Sequence, residues 1–311
     1  MIIRQPGPLS TVQDLGRTGF QSLGFPVSGA MDTRALRIGN LLVGNPENAA
    51  AVEMTMAGMT VEFTSAAIIA LTGADMAATL NGEPLPPWTA VYVHRGDTLA
   101  CGAAVTGLRG YLCVAGGIDV PEVLGSRSTS LKVGLGGFEG RKLKAGDWIG
   151  YFGALENTAG RSYTPDTYPD SVVLRAVPGP QDDMFTEKGL DTFFGSVYTV
   201  TPESDRMGIR LDGPAIETKK TSDIISDGIG PGSVQIPASG KPIILAADRQ
   251  TTGGYAKIAA VCSADLWRLA QARPGTKITF ERITLAAAQK LYARAEKEYR
   301  RLACGKGWIT R

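Results

Sequence analysis

Three stretches of this 311-residue chain concentrate the side chains that can do chemistry. The first, "DRQTTGGYAK", follows the apolar run "IILAA" and spans Asp248 to Lys257. It offers a carboxylate at Asp248, hydroxyls at Thr251 and Thr252, glycines at Gly253 and Gly254, a phenol at Tyr255 and an ammonium at Lys257. Glycines permit positive φ and close approach of the backbone to a ligand, and successive N–H groups can form an anion-binding nest. Asp248 and Lys257 are candidate catalytic groups. Thr251, Thr252, Gly253, Gly254 and Tyr255, with Gln235 from "GSVQIP", are candidate binders of a phosphate or carboxylate. The same string also fits a plain Gly-Gly hairpin with solvated flanks.

The second stretch, "TVQDLGRTGFQSLGFPVSGAMD", sets Asp14 and Arg17 among glycines. They are candidate ligand contacts, although an Arg beside a carboxylate is also a common structural clamp. The third, "VLGSRSTSLKVGLGGFEGR", joins Ser126, Arg127 and Ser128 to a glycine-rich run. An arginine with hydroxyls and free backbone N–H groups is what oxyanion binding needs. Arg127 is therefore a third catalytic candidate, and Ser126 and Ser128 are candidate binders. A long surface loop has the same composition.

Several chemistries are excluded or disfavoured. The chain has one histidine, His94, at a strand end in "VYVHRGD". That rules out a His-rich zinc site and weighs against a Ser-His-Asp hydrolase. Cys101, Cys113, Cys262 and Cys304 show no metal-type or redox-type spacing, so no metal site is expected and the thiols are read as free. "GLGGFEGRK" is neither a P-loop nor a dinucleotide fingerprint. Lys plus Arg total 32 against 30 Asp plus Glu and are scattered, so no nucleic-acid face is expected. No apolar run nears the roughly 18 residues of a membrane helix. "MIIRQPGPLS" lacks a signal-peptide core, and the expected location is the cytoplasm.

The elements that must position these residues are short. Apolar runs such as "MTVEF", "GYLCVAGG", "SVVLRAVPG", "PIILAAD" and "TKITF" are cut by Gly, Pro, Asn and Asp, which reads as strands joined by turns. Helices are predicted from Asp32 as cap to about Val43, from Ser263 as cap to before Pro274, and over Thr284–Ala303. The turn-rich segment Leu155–Asp170 is the candidate linker. It divides the chain into 1–160 and 171–311, the latter carrying the last helix. The order "MTVEF…IIALTGADM…GDTLACG" has a faint echo in "GSVQIP…IILAADRQT…PGTKITF", which favours two related β-rich domains.

With these readings in place, "TVQDLGRTGF", "SGAMD", "GNLLVGN", "GLRGYLCVAGGIDVP", "LGSRST", "GRKLKAGD", "SDRMGIRLDG", "ISDGIGPGSVQIPASGKPIIL", "DRQTTGGYAKIA" and "LAQARPG" carry a resemblance. From about Pro6 to Phe280 the chain resembles the allophanate hydrolase subunit 2 family, also called the biotin-dependent carboxyltransferase or KipA family. The resemblance implies a mainly β fold with a few helices, built as two cyclophilin-like β-barrel domains. Free-standing members of this length imply one component of an ATP-dependent 5-oxoprolinase. There it acts on a small-molecule lactam beside a KipI-like subunit and a LamB-type subunit, with ATP and magnesium used by the complex and the chain inactive alone. A second branch is fused to biotin-dependent carboxylase modules and would bring biotin; this chain carries neither such a module nor the "AMKM" carrier motif. A third branch, KipA itself, implies binding to a sensor-kinase inhibitor.

Overall fold

The structure, a computed structural model, describes residues 1–153 and 156–310. It is mainly β with a few helices, in two compact units. The first unit comprises Met1–Thr18, Ser28–Tyr168 and the chain from Glu298 onward; the second comprises Gly19–Val27 and Pro169–Lys297.

The first unit holds two five-stranded sheets. One runs Ile2–Gln5, Thr60–Glu62, Thr98–Ala100, Thr79–Leu80 and Glu83–Pro84; the other runs Leu9–Gln13, Ala51–Thr55, Thr106–Val114, Ala67–Asp75 and Ala90–Val93. Strand alternation explains the layering. Val52, Met54, Ile69, Leu71, Leu112 and Val114 face a common core with Ile3, Val61, Phe63 and Leu99. Residues of opposite parity face the helix Thr33–Leu42: Thr72 Oγ1 donates to the Ala35 carbonyl at 2.8 Å. A Cβ on Gly39 would lie 2.6 Å from Cys113 Sγ, so glycine lets helix and sheet close up. The second sheet is thus covered on both faces. Asp32 caps this helix as predicted, accepting from Ala35 N at 2.8 Å.

The second unit is a closed seven-stranded barrel, ordered Ser171–Pro178, Lys257–Val261, Ser233–Gln235, Ile243–Leu245, Gly208–Asp212, Tyr198–Val200 and Lys277–Arg282. It closes through a parallel pairing of Ser171–Pro178 with Lys277–Arg282. Alternation places Val172, Leu174 and Ala176 inward. Phe193, on the helix Glu187–Gly195, stacks on Phe280 at 4.3 Å between ring centroids. A two-stranded antiparallel ribbon, Asp223–Gly228 with Thr252–Tyr255, stands apart from the barrel ladder.

Several expectations change. The supposed linker is largely part of the first unit, which runs on to Tyr168; Arg161–Ser162 pairs with Ile309–Thr310. Leu155, where that stretch begins, lies outside the described residues. The long helix Leu285–Ala303 does not belong wholly to the second unit. Tyr299 and Leu302 are buried, and the Arg37 guanidinium of the first unit sits 3.6 Å from the Tyr299 ring centroid. Ser263 opens a 3-10 turn without capping it, and the short helix follows at Leu266–Ala270. The internal echo does not reproduce pairings: Val234 pairs with Ile244, whereas the strand of Val61 pairs with Ile2–Gln5 and Thr98–Ala100.

Candidate functional site

In the first unit the structure brings together Asp14, Arg17, Ser126, Arg127 and Ser128. Asp14 ends the Leu9–Gln13 strand, and its buried carboxylate collects the donors of the "GSRST" loop. Oδ1 accepts from Ser126 Oγ at 2.7 Å, from Ser128 Oγ and from Gly16 N at 2.7 Å; Oδ2 accepts from Arg127 N at 2.6 Å. Asp14 N in turn donates to Ser128 Oγ at 3.0 Å. Arg17 is fully buried and donates through Nη2 to the Ser128 carbonyl. The Arg127 side chain is drawn aside, with Nε on the Val120 carbonyl at 3.0 Å and Nη1 on Glu122 Oε2 at 3.3 Å. The loop therefore already holds an internal anion, and its geometry is that of a structural knot. The oxyanion cradle expected from its composition is filled by the protein's own Asp14.

In the second unit the "DRQTTGGY" stretch is not a nest. Thr252–Tyr255 is extended and pairs with Asp223–Gly228, Gly253 opposite Asp227 and Thr252 opposite Gly228. Neither Gly253 nor Gly254 has positive φ. A Cβ on Gly253 would lie 2.5 Å from Ile229 Cδ1 and 2.7 Å from Gln235 Nε2, so both side-chain ends would have to shift to admit it. Gly254 is not so confined, its nearest neighbour being the Ile224 carbonyl at 3.4 Å. Thr251 accepts from Ile229 N through its carbonyl at 3.1 Å, and the Tyr255 side chain is partly exposed.

The charged candidates are engaged in pairs. Asp248 is buried and gripped at both oxygens by Arg206, Nε to Oδ2 at 2.9 Å and Nη2 to Oδ1 at 3.1 Å. Asp248, a catalytic candidate in the sequence, is thus engaged at both carboxylate oxygens by one guanidinium. Lys257 Nζ donates to Asp227 Oδ2 at 2.7 Å and to the Gly228 carbonyl at 3.3 Å. Its backbone N–H donates to Gln181 Oε1 at 3.2 Å. Gln235 Nε2 reaches the Tyr255 carbonyl at 3.4 Å. Gln235, Gly253, Tyr255 and Lys257 therefore form one neighbourhood, with Gln181 and Asp227 as members the sequence did not single out.

Arg249 is the residue sequence reasoning passed over. It is 6% exposed. Nε donates to the Ile229 carbonyl at 3.2 Å and Nη1 to the Ala246 carbonyl at 3.2 Å. Among the described residues no carboxylate lies within ion-pair distance of it, since Asp248 serves Arg206 and Asp227 serves Lys257. Burial pushes its pKa below the usual arginine value. A charge pattern with two cations in "DRQ…K" and one acid was visible in the sequence, but which cation lacked a partner was not.

The sequence pattern of the carboxyltransferase domain, subdomain A and B, matches residues 23–282. The chain belongs to this carboxyltransferase-domain family. Over 310 residues it is 41% identical to the C subunit of 5-oxoprolinase from Escherichia coli (strain K12), with 97% of each chain covered. It is 34% identical to the urea amidolyase of Lachancea kluyveri, spanning 93% of this chain and 17% of that one. It superposes on the crystal structure of the K. lactis urea amidolyase with a TM-score of 0.90 at 30% identity, covering 96% of this chain and 20% of that one.

Proposed function

We propose that this chain is one component of an ATP-dependent 5-oxoprolinase, which converts 5-oxoproline to L-glutamate together with a KipI-like and a LamB-type subunit. The observation that carries the reading is the 41% identity to a free-standing 5-oxoprolinase C subunit over 97% of both chains. In the urea amidolyases the matching region is a small part of a much longer enzyme. A lactam amide is a weak electrophile, so its opening benefits from phosphorylation of the amide oxygen and from positioned donors that meet the developing charge. This chain contributes binding and orientation of the lactam, and Lys257, Gln235 and the Thr252–Tyr255 ribbon are its candidate contacts. Neither of the two loops read as anion binders fits a nucleotide's phosphates: the donors of the "GSRST" loop are engaged by Asp14, and Gly253 and Gly254 are extended. No step through ATP or magnesium is therefore derived on this chain. A cytoplasmic setting goes with the reading; among the described residues no helix is long and apolar enough to cross a membrane.

The family match supports a second reading, a biotin-dependent carboxyltransferase half acting on a urea-type substrate. Reconstitution separates the two. The chain is mixed with its KipI-like and LamB-type partners, and glutamate and ADP are measured with and without biotinylated carrier. The expected result is glutamate from the full set and none from the chain alone. Strict dependence on a biotinylated protein would replace the first reading by the second, and full-rate glutamate formation by the chain alone would overturn the division of labour.

A further inference from the structure

Arg249 poses a problem that neither the fold nor the proposed reaction resolves. A guanidinium is costly to bury unless a counter-charge or a full set of acceptors meets it. The other buried cations of this unit have theirs: Arg206 lies on Asp248 at 2.9 Å and Lys257 on Asp227 at 2.7 Å. Arg249 has two backbone carbonyls, which engage Nε and Nη1. Its Nη2 finds no protein acceptor among the described residues, and it is not one of the polar atoms sealed from solvent without a partner. The side chain is nevertheless held firmly. The Ile229 carbonyl that takes its Nε belongs to the residue whose Cδ1 would meet a Cβ on Gly253 at 2.5 Å, and the same Cβ would meet Gln235 Nε2 at 2.7 Å. A fixed cation thus stands on the Ile229 and Ala246 carbonyls, with donors left over.

We propose that Arg249, fixed by the Ile229 and Ala246 carbonyls, receives the carboxylate of a small-molecule ligand. One unbalanced positive charge matches a carboxylate, which carries one negative charge. A phosphate dianion would leave an excess negative charge, and the nest that would share it is absent, because Gly253 and Gly254 are extended. A guanidinium end also offers parallel N–H donors that suit a planar carboxylate. The inference rests on charge and geometry, and it stands whether or not the ligand's ring is the bond that is broken.

The test uses the full chain, alone and in its reconstituted complex, with thermal midpoints read at constant ionic strength. The probes are sodium 5-oxoproline, sodium acetate, the neutral 5-oxoprolinamide and inorganic phosphate. The expected result is a dose-dependent rise with both carboxylates and none with the amide. Arg249→Met should abolish the response and, in plain buffer, melt at or above the wild-type midpoint, because an uncompensated buried charge has gone. Arg249→Lys keeps charge without the planar fork and should need about tenfold more carboxylate. If Arg249→Met does not fold, Arg249→Lys decides, and an undiminished response overturns the proposal. So do a wild-type chain and complex indifferent to carboxylates, an equal response in Arg249→Met, or phosphate outranking the carboxylates. A carboxylate response without glutamate formation by the complex sinks the oxoprolinase reading alone. Glutamate formation with an unchanged KM in Arg249→Met sinks this one alone.

Discussion

The Lys257 ammonium is buried, whereas the Asp227 carboxylate that meets it is 55% exposed. The two halves of this pair are therefore unequal. Removing Asp227 strands a buried ammonium on a carbonyl; removing Lys257 leaves a carboxylate that water can solvate. Asp227→Asn should lower the melting midpoint more than Lys257→Met, which keeps most of the stem's packing. The hydrogen bond from Lys257, followed by that from Gly228 N, holds the Asp227 carboxyl below its ordinary 3.8. Its contribution is therefore present above that ordinary value and lost as pH falls through the lower folded value. Acid titration of stability in Lys257→Met should lose the larger part of this component and keep that from Gly228 N. Nearby, Gly253→Ala should cost more stability than Gly254→Ala, because Ile229 Cδ1 and Gln235 Nε2 must shift to admit the methyl. Gly254→Ala should lie within about 1 kcal/mol of wild type and on the stabilising side, since its φ is ordinary and its neighbours stand back. Equal losses in urea titrations of the two variants would contradict the packing described. The sequence offered the two glycines as equivalent members of a nest; only contacts from Ile229 and Gln235, far along the chain, tell them apart.

The secondary elements were legible where their signals are local. Asp32 capping Thr33–Leu42, and Thr284, whose Oγ1 accepts from Ala287 N at 3.2 Å ahead of Leu285–Ala303, are signals read within one turn. The helix Glu187–Gly195 went unread because glycines at both Gly189 and Gly195 interrupt its pattern; its cap, Thr186 Oγ1 accepting from Gly189 N at 2.9 Å, was there to be seen. Pairing partners were not legible, since the barrel order joins strands distant in sequence. The destination of the last helix was equally hidden, because its apolar face says only that something covers it. Tyr299 makes that covering measurable. Burial pushes its hydroxyl up to about 12 from an ordinary 10. A raised folded-state value gives stability that is complete below pH 10 and lost as pH rises toward 12. Tyr299→Phe should remove about 2 kcal/mol of that alkaline loss. Denaturant midpoints of both proteins across this range check it; an unchanged profile would place Tyr299 in solvent.

At the scale of the molecule, the four thiols report on the two units separately. Cys101 and Cys113 are buried in the first and Cys262 in the second, while Cys304 is exposed. Burial raises the Cys101 thiol to about 12 and Cys113 further, so neither offers thiolate at neutral pH. An aromatic disulfide reagent should therefore titrate one thiol in the native chain and all four in denaturant. The interleaving of the units gives these probes a further use. The first unit is begun by residues 1–18 and finished only by those from Glu298 onward, with the whole of the second unit written in between. The residues that finish the first unit, Tyr299, Leu302 and the strand Ile309–Thr310 that pairs with Arg161–Ser162, are the last to be made. The half that starts to be made first is thus the half completed last, and a released chain truncated after Lys297 should expose Cys101 and Cys113 to labelling while Cys262 stays protected.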